Sequence, residues 1–134
     1  MNVAVHRGPL LATHDTLDLL FAELVEAARA RDWARCDHVA ETFAIALDVH
    51  FRHEETLQFP RYASASQLAA FEVDDFLAEH QLVRRAVGNL LADLRARTLS
   101  EAAIDRVEFL LRDHDEHESR SFLPWLSSRA HAAA

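Results

Sequence analysis

The chain has 134 residues, half of them apolar, with eight Phe, two Trp, a single Cys and only two Gly and three Pro. That length supports one packed core burying roughly 68% of the unfolded chain's surface, and the shortage of chain-breaking residues favours helices over a sheet or disorder. A formal charge of −8, from 22 acidic against 14 basic residues, argues against a nucleic-acid backbone or an anionic membrane surface as partner. Cys36 alone cannot close an intramolecular disulfide. No apolar run approaches the ~20 residues of a membrane span, and Met1 to Ala12 lack the features of a secretory signal, so the cytoplasm is the expected compartment.

One domain is expected over residues 1–134, with an arm at 1–8 and a tail at 125–134. The arm closes on Gly8-Pro9, and Leu10, His14, Leu17, Phe21, Leu24, Val25 and Ala28 then trace one face of a first helix running to about Arg31. Asp32 suits the N-cap of a second helix with the stripe Val39, Phe43, Ala46, Leu47, His50, Glu54 and Leu57, which Pro60 is expected to stop. Ser64-Ala65-Ser66 mark a connection to a third helix carrying Val73, Phe76, His80, Val83, Val87, Leu90, Leu91 and Leu94. Ser100 caps a fourth, with Ile104, Val107, Leu110, Leu111, His114, Glu118 and Phe122, which Pro124 ends or bends. The tail is expected to hold one further helical turn around Trp125 and Leu126.

Four helices on short loops pack most simply as an all-α, up-down-up-down four-helix bundle. Metal-type residues interrupt each apolar stripe: His14, then His50 with Glu54, then His80, then His114 with Glu118. In antiparallel neighbours, residues at one height are equidistant from the turn between them. The midpoints of successive histidines fall at 32, 65 and 97, each on or beside a turn signal found independently, so the four imidazoles should share one layer. A His and a Glu four residues apart lie on the same helix face, one turn above each other.

An ionised Glu in a bundle core costs several kcal/mol unless it is paired or coordinates a metal. A single histidine on an apolar face is ordinarily a hydrogen-bonded core residue, but four at one level with two glutamates beside them point to ligands. The candidate metal set is therefore His14, His50, Glu54, His80, His114 and Glu118. Imidazole and carboxylate without thiolate suit iron, manganese or zinc, and two carboxylates able to bridge favour two metals, with a pair of irons the leading choice. The competing readings are a metal-free polar network and a structural zinc site. His53 and His117 are expected to flank the ligand row or orient a ligand from a second shell, the alternative being an extra ligand. Glu55 is expected to face out, and His6, His38 and His131 to lie on the surface. Cys36 and Tyr62 are candidate redox residues without a motif. The signatures of a zinc protease, a phosphate loop and a nucleophile elbow are absent, as is the Glu-x-x-His of ferritin-like bundles.

From His14 to Pro124 the chain resembles the hemerythrin-like HHE cation-binding domains. The pattern is a lone His14, then His50 with Glu54-Glu55 running into Phe59-Pro60, then His80, then His114 with Glu118 running into Leu123-Pro124. The resemblance implies an oxo- or hydroxo-bridged di-iron centre, one metal near His14 and His50, the other near His80 and His114, with both glutamates bridging. It departs from the oxygen-carrying hemerythrins, which place a His-x-x-x-His pair on the third helix; here Phe76 and Arg84 flank His80 at that spacing. Ser119 stands where those proteins have an aspartate. A set of four His and two Glu is similar instead to bacterial di-iron proteins of iron–sulfur centre repair. The expected function is a non-haem di-iron protein whose partner is a small diatomic or peroxide ligand, O2, NO or H2O2, for sensing, storage or stress response. The alternative is a di-iron enzyme, a peroxidase or NO reductase, or an iron donor in repair.

Overall fold

In the computed structural model the backbone is described for residues 14–133 and the side chains for 14–129. The expected arm, Gly8-Pro9, Leu10 and His6 lie outside those bounds, as does the side chain of His131. Among the described residues six α-helices follow one another: α1 (His14–Arg29), α2 (Trp33–His53), α3 (Phe59–Ala63), α4 (Gln67–Arg95), α5 (Glu101–Arg120) and α6 (Phe122–Ala133). A π-helical segment, Glu54–Gln58, joins α2 to α3 without a break. Helix α1 packs on α2, α2 on α4 and α4 on α5, which is the antiparallel bundle that the stripes imply. No helix among the described residues is long and apolar enough to cross a membrane.

The expected caps are in place. Asp32 accepts the Arg35 N–H at 3.3 Å, Ser66 Oγ that of Ala69 at 3.0 Å and Ser100 Oγ that of Ala103 at 3.1 Å. Each satisfies an amide left open by the first turn, worth about 1 kcal/mol. Helix α1 stops at Arg29, two residues before the expected end, because Arg31 turns into the left-handed region at φ 55. The Asp32 N–H then reaches back to the Ala27 carbonyl and that of Arg31 to Ala28, both at 3.0 Å. Arg97, at φ 61, closes α4 in the same way, with Thr98 bonded to Asp93 and Arg97 to Leu94. These are Schellman stops with arginine where glycine is usual.

Two expectations at the prolines are corrected. Pro60 does not stop the second helical run, which continues to Ala63. The Phe59 N–H bonds back five residues to the Glu54 carbonyl, so the missing N–H of Pro60 falls where the hydrogen-bond register is already changing. The extra residue in this turn also rotates the stripe: Leu57, read as inward, is 52% exposed, and Phe59 and Tyr62 are buried in its place. At the other end α5 breaks at Ser121, three residues before Pro124, and the tail is a helix of 12 residues rather than a single turn. Pro124 sits in the first turn of α6, where its ring is tolerated.

The apolar interior has two parts. The larger runs between α1, α2, α4 and α5 and includes Leu24, Phe43, Leu90 and Val107. The smaller gathers Phe59, Tyr62, Val73, Phe76 and Phe122, with Trp125 and Leu126 of α6 against it.

Candidate metal centre

Between the two apolar parts, the six residues picked out by spacing come together. One ligand atom each from His14, His50, Glu54 and Glu118 lies within a 4.8 Å group, and one each from Glu54, His80, His114 and Glu118 within a second. Both glutamates belong to both groups, and neither His53 nor His117 belongs to either. The common level expected from the turn midpoints is seen in the ring pairs: His14 and His50 have centroids 5.0 Å apart, and His80 and His114 4.7 Å. Glu54 stands one turn beyond His50 at the entry to the π segment, and Glu118 one turn beyond His114 just before the break at Ser121.

The polar atoms of this layer lack enough partners among themselves. His50 Nε2 and both oxygens of Glu118 are buried without a hydrogen bond, although Glu118 Oε1 lies 3.2 Å from His14 Nε2 and Oε2 3.2 Å from His114 Nε2. Buried carboxylate oxygens are seldom left so, and these are aimed at the space a cation would fill. Glu54 is 2% exposed; burial by itself would raise its carboxyl, but the imidazoles of His114, His50 and His80 hold it well below the usual range. Burial would likewise lower His114, yet Glu118, Glu54 and Glu79 together push it up to about 12. With its imidazoles neutral, as ligands must be, the layer would hold two uncompensated carboxylates.

Two carboxylates outside the predicted set complete the site. Glu55, expected to face out, turns inward on the face of the buried Phe51 one turn earlier: its Oε2 lies 2.6 Å from His80 Nδ1. Arg84 clamps Glu55 with two hydrogen bonds of 2.8 and 3.1 Å. Arg84, one of the two positions where oxygen-carrying hemerythrins suggested a further ligand, therefore acts on His80 through Glu55. Glu79 takes His114 Nδ1 on one oxygen and His117 Nδ1 on the other, both at 2.6 Å. Such partners fix which ring nitrogen carries the proton and leave Nε2 as the donor atom. Glu79 carried no signal beyond its place beside His80.

The two flanking histidines part company. His117 touches the cluster through Glu79, whose second oxygen its Nδ1 meets. His53 instead lines a surface cavity of about 170 Å³ with Leu57, Arg61 and Trp125, away from the ligand atoms. His38 is exposed as expected. Cys36 is buried beside the Asp32 turn, and burial pushes its thiol up, so nothing activates it. Tyr62 donates its hydroxyl to Glu72, which also accepts from Ser121 Oγ and so ties α3 and α4 to the break before α6.

Aromatic rings wall the layer. Phe51 stacks on His80 at 3.7 Å with the planes 6° apart, Phe59 lies 5.4 Å from the same ring, and Phe76 packs 4.6 Å from His117. These walls keep water from His80 and His114 and hold their orientation. The residues fit a pair of cations: two His per position, two shared carboxylates, and acceptor atoms with no other partner.

Comparison with curated proteins and with solved structures finds no match. The family model of the hemerythrin HHE cation-binding domain matches residues 9–126, which include all six clustered residues and both outer glutamates. The chain belongs to the hemerythrin HHE cation-binding domain family.

Proposed function

We propose that this protein holds two iron ions and presents them to a small ligand, O2, NO or peroxide, for sensing, storage or stress response. The observation that carries the reading is the sharing of Glu54 and Glu118 between two groups of ligand atoms, each completed by its own pair of imidazoles. His14 and His50 serve one position, His80 and His114 the other, and the two carboxylates span both. Iron in such a set supplies reversible one-electron chemistry and coordination positions open to a small molecule. The chain's own residues bind, orient and shield. Glu55 and Glu79 orient His80 and His114 through their Nδ1 atoms, Arg84 and His117 hold those glutamates in turn, and Phe51, Phe59 and Phe76 exclude water.

Metal content and the optical spectrum of protein purified from iron-supplied cells test the proposal. Two irons per chain are expected, with near-ultraviolet bands that bleach under dithionite and change on adding NO. Zinc, or no metal, under the same conditions would overturn it. Steady-state consumption of peroxide or NO would place the protein among enzymes rather than ligand-binding modules.

A further inference from the structure

Apart from the metal layer and independently of it, we infer that the cleft between the π turn and α6 is a binding site for a small organic anion, a carboxylate or phosphate group on a body of about one ring. The cleft holds about 170 Å³. His53, Leu57, Gln58 and Arg61 line one side, and Trp125, Leu126 and Arg129 of α6 the other. Helical spacing gathers them: 53, 57 and 61 follow one another turn by turn through the π segment into α3, and 125 and 129 stand one turn apart on α6.

Charge is the first observation. The chain carries −8, yet residues 56–71 and 119–134, which supply most of the cleft, contain no Asp or Glu and include Arg61, Arg120 and Arg129. The groove of about 670 Å³ between α1 and α5 is rimmed by Asp18, Glu26, Asp105 and Asp115, and the cleft beside Cys36 by Asp37 and Glu41. Among the described residues no carboxylate lines the α6 cleft. An anion is repelled at the other two and attracted here.

Unused hydrogen-bonding capacity is the second. The His53 ring, the Gln58 amide and the Arg61 guanidinium make no side-chain hydrogen bond or ion pair with any described residue, and Arg129 only lies over the Trp125 ring, 5.5 Å from its centroid. Elsewhere Arg29, Arg84 and Arg97 each give two hydrogen bonds to one carboxylate. Arg61 and Arg129 present the same planar forks to the cleft, and these match a carboxylate or phosphate group.

Shape is the third. The π turn rotates Leu57 off the core, and the side chain left 52% exposed stands in this cleft. Trp125 is half-buried, held on its inner side by Tyr62 at 5.1 Å and Phe122 at 6.3 Å. An inorganic ion would leave Leu57 and Trp125 wet, whereas an organic body covers them. The cleft is smaller than the roughly 300 Å³ at which sites for drug-sized ligands begin, which limits that body to about one ring.

Trp33→Phe leaves Trp125 as the one tryptophan, so its fluorescence reports on the cleft in protein purified with its metal, with calorimetry on the unaltered chain alongside. Phenyl phosphate or benzoate should bind saturably, with Kd about 1 mM or tighter. Either one binding upholds the site, and the tighter of the two separates a phosphate ester from a carboxylic acid as the ligand class. Arg61→Gln and Arg129→Gln should each weaken the tighter probe about 10-fold or more. Arg112→Gln, which alters an arginine paired with Glu108 at the α1–α5 groove, should leave it unchanged. Leu57→Ser should weaken phenyl phosphate and leave any binding of inorganic phosphate as it was. No saturable response to either probe, benzyl alcohol binding as tightly as they do, or a loss in Arg112→Gln equal to that in Arg61→Gln would overturn the proposal. Full binding in both Arg61→Gln and Arg129→Gln would place the anion elsewhere, the metal layer included, and overturn it equally. Inorganic phosphate binding as tightly as phenyl phosphate would overturn the assignment of an organic ligand.

Discussion

His80 and His114 face each other through their Nε2 atoms at 3.1 Å, while each presents Nδ1 to a carboxylate oxygen 2.6 Å away. With Nδ1 as donor in both rings, the two Nε2 lone pairs converge on each other and on Glu54. Acceptors converge in this way only around a positive charge. In the metal-free chain a proton on His114, whose pKa Glu118, Glu54 and Glu79 push up, would supply it, and a metal ion would supply it in the loaded one.

The shared carboxylates should therefore matter more than any one imidazole. Glu54→Ala or Glu118→Ala removes an oxygen donor from both groups and is expected to take metal content well below one ion per chain. His53→Ala, which alters only the surface cavity beside Trp125, should keep the full complement. Elemental analysis of the purified variants decides it. Metal loss in His53→Ala comparable to that in Glu54→Ala would make His53 a ligand.

Acid should release the metal, and stripping should cost more at higher pH. His114 has a raised folded-state pKa, so its contribution to the metal-free fold is complete below the unfolded value of 6.5 and drains away as pH rises toward about 12. His14 is raised as well, burial being outweighed by Glu118 and Asp115, and acts with the same sign. Glu54 is lowered, so its contribution is lost only as pH falls below the carboxylate range. Metal binding needs the lone pairs free and strengthens with pH, worth about 4 kcal/mol at a thousandfold excess over Kd. The gap in Tm between loaded and stripped protein should accordingly widen from about pH 6 to about pH 8.5. A gap that is constant or narrows would contradict the proton competition.

The π turn makes a prediction about two neighbours. Phe59→Ala should cost about 3–5 kcal/mol, since the ring is 1% exposed and packs on Phe76 and Phe122 at 5.4 and 5.2 Å. Leu57→Ala should cost under about 0.5 kcal/mol, because that side chain is on the surface. Chemical denaturation of the two variants measures both; a large loss at Leu57 would mean that the helix keeps its α register past Glu54.

The arginine stops offer a stabilising change. Arg31 holds φ 55 with no side-chain salt bridge or hydrogen bond among the described residues, so Arg31→Gly should relieve strain and raise stability by about 0.5–1 kcal/mol. Arg97→Gly relieves the same strain at φ 61 but loses the paired hydrogen bonds to Asp37 at 2.7 and 3.0 Å and the contact over the Trp33 ring, leaving little net gain. Thermal melts of the two variants should differ in that order.

Helical spacing made the inner faces of all four long helices legible, and the turn midpoints made the common level of His14, His50, His80 and His114 legible too, because both follow from the pitch of a straight α-helix. What stayed hidden depends on departures from that pitch or on side-chain reach. Leu57 was misread because one extra residue enters the turn after Glu54, and no local composition marks it. Glu55 was placed outside because its face of the helix is marked one turn earlier by Phe51, a buried ring that the stripe through His50 and Glu54 passes by. Glu79 could not be found from its own helix at all, since its role depends on His114 and His117 approaching from α5. The end of α5 at Arg120 was legible, being the residue whose carbonyl the Pro124 ring would meet, but its tie to Glu72 on a different helix was not.

The imidazole–carboxylate layer lies between two separately packed apolar clusters, so it serves as the rivet that makes them unfold as one body. Emptied of its cation, the layer becomes a plane of weakness. The aromatic end, with Phe59, Phe76, Phe122 and the α6 helix, can then open while the opposite end stays shut, stapled by Arg29 to Glu101 and Asp37 to Arg97. Amide exchange in metal-free protein should accordingly quicken along α3 and α6 well before it does in the middle of α1, and the loaded protein should exchange as a single unit.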